Sequence, residues 1–176
     1  MDDRVAMAIS HWAPRFTMNG VTAGDFERIT SGLDSWDDWC AGWSAVAAEH
    51  ERLGRDALAA GRDLSAGAHL AQAAVYYHFA KFLFVNDLGQ MRAAHLKAVS
   101  CLNDALPYLD PPGRRIEIPF DGAQMVGVLR SSSLVESSPG IMIITGCGPG
   151  PRGSRRTPTI CAPSKGISIR RPGGSR

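Results

Sequence analysis

All 17 Asp and Glu residues of this 176-residue chain lie at or before Glu136. Lys and Arg are spread differently: twelve of the 19 lie in residues 1–146 and seven in residues 147–176. The first segment therefore carries a net charge of −5 and the last stretch +7, with 6 of the 19 glycines and 5 of the 11 prolines in that last stretch. Sequence without acids or aromatics and rich in Gly and Pro cannot bury enough apolar surface to offset its ordering entropy. Two kinds of sequence meet near Gly146, so a fold must be built from what precedes it.

What precedes it has the means. At 44% hydrophobic and 20% charged residues, the chain has a globular composition. Residues 1–33 are interrupted by Pro14, Gly20 and Gly24 and read as one or two short helices. Ser35 is a helix N-cap, with Asp37 and Asp38 in the first turn where the helix dipole favours negative charge. Trp36, Trp39, Trp43, Val46 and Leu53 then recur on one face of a long amphipathic helix that Gly61 stops. Ser65 is expected to cap a second helix running to about Val85. Asp87 caps a third, which closes at Pro107.

The periodicity changes after Pro111-Pro112-Gly113. Ile116, Ile118 and Phe120 alternate with Arg115, Glu117 and Pro119, as in a strand. Asp121-Gly122 is a hairpin turn, and Met125 to Leu129 form the return strand. Pro119 cannot donate to a ladder, so the hairpin belongs at a sheet edge. The aliphatic run at residues 141–144, between Gly140 and Gly146, reads as a strand buried on both faces. The organisation expected is a helical domain over residues 1–110, strands over 111–146 and a disordered basic tail over 147–176.

Several chemistries are excluded or demoted. The tryptophans have the spacing of packing core rather than of a ligand cage. Cys40, Cys101, Cys147 and Cys161 form no CxxC pair, and His50, His69, His78 and His95 lack partners at metal-ligand spacing. No metal and no cofactor is expected. The glycine-rich stretch after residue 146 resembles a phosphate loop, but Pro149, Pro151 and Pro158 forbid the helix such a loop must open. The acidic N-terminus and the lack of a long apolar run point away from a leader or a membrane helix, so a soluble, cytoplasmic protein is expected. The basic tail could meet phosphates electrostatically, but nucleic acid is not the expected partner. Tyr76, Tyr77 and His78 are the one polar-aromatic cluster suited to line a substrate pocket.

One resemblance draws these features together. The Ala- and Tyr-rich helix at residues 73–82, the run PPGRRIEIPFDGAQMVGVLR at 111–130 and PGIMIITG at 139–146 resemble the front end of α/β-hydrolases with a helical N-terminal cap. The 2,6-dihydroxypseudooxynicotine hydrolases and the fermentation-respiration-switch-like proteins are of that kind. The resemblance implies an α/β fold, a helical cap followed by the first strands of the hydrolase sheet. It also implies a serine nucleophile on a G-x-S-x-G elbow with Asp and His partners, acting on a small-molecule ester or on a carbon–carbon bond next to a carbonyl. Gly146 and Cys147 would fall in the loop whose backbone N–H groups form the oxyanion hole.

The chain departs from that pattern after Gly146. It has no G-x-S-x-G, no Asp after Asp121 and no His after His95, so the chain as written is expected to be inactive. A frameshift near Gly146 accounts for both the composition break and the missing catalytic half. Codons for residues 157–169 read two bases forward permit Ser-Asp-Asp-Leu-Arg-Thr-Phe-Glu-Arg-His-Phe-His, a capped amphipathic helix. The competing readings are a tetratricopeptide-like adaptor, weakened by the lack of a second 34-residue copy, and a basic-tailed binding protein. Self-association stays open as a further partner.

Overall fold

A computed structural model describes residues 2–131 and 140–143, which fall into two compact units that part after Tyr108. The first is helical throughout: α1 (Asp3–Met18), α2 (Ala23–Ser31), α3 (Trp39–Ala59), α4 (Asp63–Lys81) and α5 (Leu88–Ala105). Single 3-10 turns lead into α3 (Trp36–Asp38) and out of α5 (Leu106–Tyr108). The second unit holds β1 (Gly113–Phe120), β2 (Ala123–Ser131) and β3 (Gly140–Ile143). None of the described helices is long and apolar enough to cross a membrane.

Local chemistry accounts for the helix ends. The Asp2 carboxylate accepts from the Arg4 N–H at 2.8 Å and from the Trp36 N–H at 3.1 Å, capping α1 and tying it to the start of α3. Thr22 caps α2 through the Asp25 N–H, and Asp87 caps α5 through the Gln90 N–H. Ser35 takes the expected N-cap position, where its backbone N–H and hydroxyl both donate to the Asp38 carboxylate, and the first turn is a tight 3-10 turn. Gly61, at φ +67°, ends α3: its N–H donates to Leu58 and the Arg62 N–H to Ala57, the paired bonds of a Schellman turn.

Three expectations change. Pro14 does not break α1 but sits inside it. The carbonyl its ring leaves unpaired belongs to Ser10, and both residues are exposed, so water can take the place of the lost donor. The second long helix begins at Asp63 rather than behind a Ser65 cap, because the Ala66 N–H already donates to the Arg62 carbonyl. It ends at Lys81 rather than Val85, since Phe82 is extended and Leu83 adopts φ 62°.

Helices α3 and α4 run antiparallel along their length: Trp43 meets Tyr76, His50 meets His69 and Gly54 meets Leu70. At Gly54 an added Cβ would lie 2.7 Å from the Leu70 side chain and 3.1 Å from its backbone nitrogen, so glycine lets the helices approach. The tryptophan stripe is core, as expected. Trp39 and Trp43 are fully buried, and Phe16 stacks on Phe79 with ring centroids 4.1 Å apart. The Trp39 indole N–H donates to the Phe79 carbonyl at 3.0 Å, taking up one of the acceptors at the end of α4.

The sheet has the order β1-β2-β3, with both pairings antiparallel. Asp121 (φ 50°) and Gly122 (φ 72°) make the two-residue turn with both residues left-handed, which twists in the same sense as the strands it joins. Phe120 therefore pairs with Ala123 and Pro119 with Gln124, leaving Pro119 on an edge strand as its missing N–H requires. The register puts Ile116 opposite Gly127 and Ile118 opposite Met125, on one face with Leu129. The Arg130 guanidinium donates to the Pro111 carbonyl at 2.8 and 3.0 Å and to the Asp110 carbonyl at 2.9 Å, clasping the entry to β1.

Candidate functional site

Tyr76, Tyr77 and His78 are consecutive on α4, so their side chains leave the helix about 100° apart. The helix delivers them to three places. Tyr76 is buried; its hydroxyl donates to Asp25 at 2.7 Å and accepts from the Thr22 N–H at 3.3 Å. Tyr77 is buried a quarter-turn away and donates to Glu51 at 3.0 Å. His78 is exposed on the outer side, its ring stacked on Phe82 with centroids 6.1 Å apart. The two candidates expected in the oxyanion-hole loop, Gly146 and Cys147, lie outside the described residues.

Tyr77 borders a depression. This open hollow of about 260 Å³ lies between α3, α4 and α5 and is lined by Cys40, Ala41, Ser44, Tyr77, Gln90 and Lys97 among others. Its polar wall is organised by Glu51, which accepts from Tyr77 and from Lys97 at 3.0 and 3.1 Å. Desolvation pushes the Glu51 carboxyl up, but the Lys97 and Tyr77 hydrogen bonds outweigh it and hold the group below its ordinary range. Burial and the facing carboxylate raise Tyr77, so its phenol stays protonated and donates. Arg55 continues the network, 3.7 Å from Glu51 and 2.6 Å from Asp104.

None of these groups is primed for covalent chemistry. Burial, then the charge of Glu51, pushes the Cys101 thiol up to about 11, and burial raises Cys40 as well. Both remain thiols at neutral pH, and the thiol is not the nucleophile. Among the described residues no Ser or Cys side chain hydrogen-bonds a histidine, and no cluster of three His, Cys, Asp or Glu is placed to hold a metal. What these helices present is an open, largely apolar hollow with Tyr77 and Lys97 in its wall, both engaged by Glu51.

The spacing of residues did not point to one pairing. His50 and His69 face each other across α3 and α4 with Nδ1 atoms 3.2 Å apart, beside Asp25. Nineteen positions apart, they match no motif. The signal that could have found them is the helical hairpin about Gly61, which folds equal stretches of α3 and α4 onto each other.

Known proteins resemble the chain in both sequence and fold. No family profile matches it. The 2,6-dihydropseudooxynicotine hydrolase of Paenarthrobacter nicotinovorans is 32% identical over 134 residues, covering 75% of this chain and 35% of the relative. The crystal structure of the 2,6-dihydroxy-pseudo-oxynicotine hydrolase superposes with a TM-score of 0.62 at 28% identity, over 71% of this chain and 35% of that one. The chain is thus similar to part of an α/β-hydrolase. The expected likeness to a cap-bearing hydrolase therefore holds, as does the fold class of a helical part followed by strands of an α/β-hydrolase. The chain spans about a third of the length of the hydrolases it matches.

Proposed function

We propose that residues 1–110 are the helical cap and residues 111–146 the first strands of a hydrolase that cleaves an ester, or a carbon–carbon bond next to a carbonyl, in a small carbonyl-bearing molecule. The observation that carries this reading is joint: sequence identity and backbone superposition select a hydrolase of the same name. The chemistry of such an enzyme is attack by a serine on the carbonyl, with the resulting oxyanion held by backbone N–H groups. In this reading the loop at Gly146 and Cys147 supplies those donors. The hollow beside Tyr77 belongs to the substrate pocket, and Tyr76 and His78, turned elsewhere around α4, are not part of it. The substrate is a neutral or anionic carbonyl compound that can accept from Lys97.

The same reading assigns residues 147–176 to a shifted frame. The loss of all acids, the proline-rich composition and the absence of a G-x-S-x-G elbow support it, and the chain as written then lacks catalysis. Sequencing the coding DNA past codon 135 tests this. The expected result is a second frame that resumes with a helix, a serine elbow and later Asp and His. Its repaired product should hydrolyse activated esters or β-diketones, and the 176-residue chain should not. A DNA without such a frame overturns the frameshift. A repaired product inert on both substrate classes overturns the assigned chemistry.

A further inference from the structure

His50 and His69 stand apart from the hollow beside Tyr77 and from the proposed catalytic loop. Their Nδ1 atoms are 3.2 Å apart and their ring centroids 5.5 Å apart. That centroid distance is what two imidazoles reach when the Nδ1 atoms point straight at each other, the geometry of one N–H donating to one lone pair. Two nitrogens converging on a metal ion would be angled toward a common point and would bring the rings closer. The Nε2 of His50 lies 3.8 Å from the Asp25 carboxylate, which favours a proton on that nitrogen. The Nδ1 of His50 is then the acceptor and the Nδ1–H of His69 the donor.

We propose that this pair is a proton-counting latch that joins α3 to α4, closed while the two rings hold at most one extra proton and open when both are charged. The first added proton can enter on the Nε2 of His69, which leaves the N–H···N bond in place and strengthens it. The second must enter at the Nδ1 of His50, where it meets the N–H of His69, and the bond is lost. The surroundings set the threshold. Asp25 from α2, with Arg28 paired to it and to Glu49, and Glu49 from α3 are the charges near the pair. The ring of Tyr76 from α4 packs edge-on to His50 at 5.2 Å. Desolvation holds His50 below its ordinary range; Asp25 opposes this and the facing His69 adds to it. Opening frees more than one contact. Asp25 also receives Tyr76 and Thr22, so the latch bears on the start of α2 (Ala23–Ser31).

Ring NMR of the full chain with labelled histidine tests the idea. At pH 7.5 the expected tautomers are Nε2–H for His50 and Nδ1–H for His69. On acidification both rings should report the same two steps, separated by roughly one pH unit or more, as coupled sites do. In His69→Asn, whose amide can donate to the neutral His50 Nδ1, can turn over to accept from it once it is protonated, and does not titrate, His50 should show a single step. In that variant the protection factors of residues 23–31, which divide out the pH dependence of intrinsic exchange, should lose the acid-induced fall of the wild type, expected to be about tenfold for each pH unit for one linked proton. Two Nε2–H tautomers at pH 7.5, or two rings titrating independently, would overturn the latch. So would an equal acid-induced fall in those protection factors in both proteins. The tautomer measurement needs only the wild type and stands even if the variant fails to fold.

Discussion

Phe16, Trp39, Trp43 and Phe79 of the helical unit are fully buried, whereas Ile116, Ile118, Met125 and Leu129 of the sheet are each only half-buried. Both units follow the expected hydrophobic pattern, so pattern alone does not explain the contrast. Five helices can turn their apolar stripes inward on one another and close a core among themselves. A three-stranded sheet has two faces and edges, and its apolar face needs another layer before it is dry. The helical unit thus carries the means of its own stability in residues 2–108, while the described strands leave their apolar face only half-buried.

Core truncation is the strongest way to break that contrast. Phe16 stacks on Phe79 and lies 5.0 Å from the ring of Trp43, so Phe16→Ala empties the centre of the aromatic cluster. A cost of about 3–5 kcal/mol is expected for the helical unit, read from urea unfolding followed by tryptophan fluorescence. A loss below about 1 kcal/mol would mean that this core is not tightly packed. A smaller loss is expected at Gly67, where an added Cβ would meet the backbone carbonyl of Tyr108 in the turn after α5. Backbone cannot swing aside as the end of a side chain can, so Gly67→Ala should cost roughly 1–3 kcal/mol in the same assay. An unchanged midpoint would show that the turn yields freely.

These two sites also mark what could be read from sequence. The Asp87 cap, the stop at Gly61 and the Asp121-Gly122 turn were legible because each depends on a few neighbouring residues. The ends of α4 were not. Its start follows from the hydrogen bonds that close the Gly61 turn, and its end from a left-handed Leu83 that no propensity favours. Pro14 was misread because a missing donor disrupts a helix less when the freed carbonyl faces water. The candidates Tyr76, Tyr77 and His78 were found as a cluster in sequence, but a helix spreads consecutive residues around its axis. The interhelical partners Asp25, Glu51 and His69 depend on the register of one helix against another, which one chain segment cannot reveal.

Acid sharpens the comparison further. Glu51 lies below its ordinary range because the Lys97 and Tyr77 hydrogen bonds outweigh desolvation, and Asp25 does so through Tyr76, Thr22 and Arg28. For a carboxyl lowered in the folded state, the stabilisation is full above the unfolded value and is lost as pH falls through the folded one. The helical unit should therefore weaken as pH falls through about 4.5, where Glu51 is half protonated in the unfolded chain. Glu51→Gln keeps an acceptor for Tyr77 but removes the charge facing Lys97. It should cost about 1 kcal/mol at pH 7 and flatten this acid limb, as measured by urea midpoints from pH 7 to pH 3. A limb of unchanged steepness would assign the acid sensitivity to other groups.

The smallest effect belongs to the sheet, and it asks whether that unit has any internal support. Arg130 is half-buried and spends its guanidinium on the carbonyls of Asp110 and Pro111 rather than on a carboxylate. Those carbonyls precede β1, so no ladder bond claims them, and Arg130 joins the far end of β2 to the entry of β1 beyond the Gly113–Arg130 pair. Hydrogen bonds from a charged donor are worth more than neutral ones, but partial exposure reduces the gain. Arg130→Met keeps the aliphatic stem and deletes all three bonds, at an expected cost of about 1 kcal/mol. The measurement that isolates it is amide exchange. Protection should fall for the end of the β1–β2 ladder near Gly113 and stay unchanged in α3 and α4. Equal losses in helices and strands would show that the two units unfold as one, and that the closed core of the first lends its stability to the second.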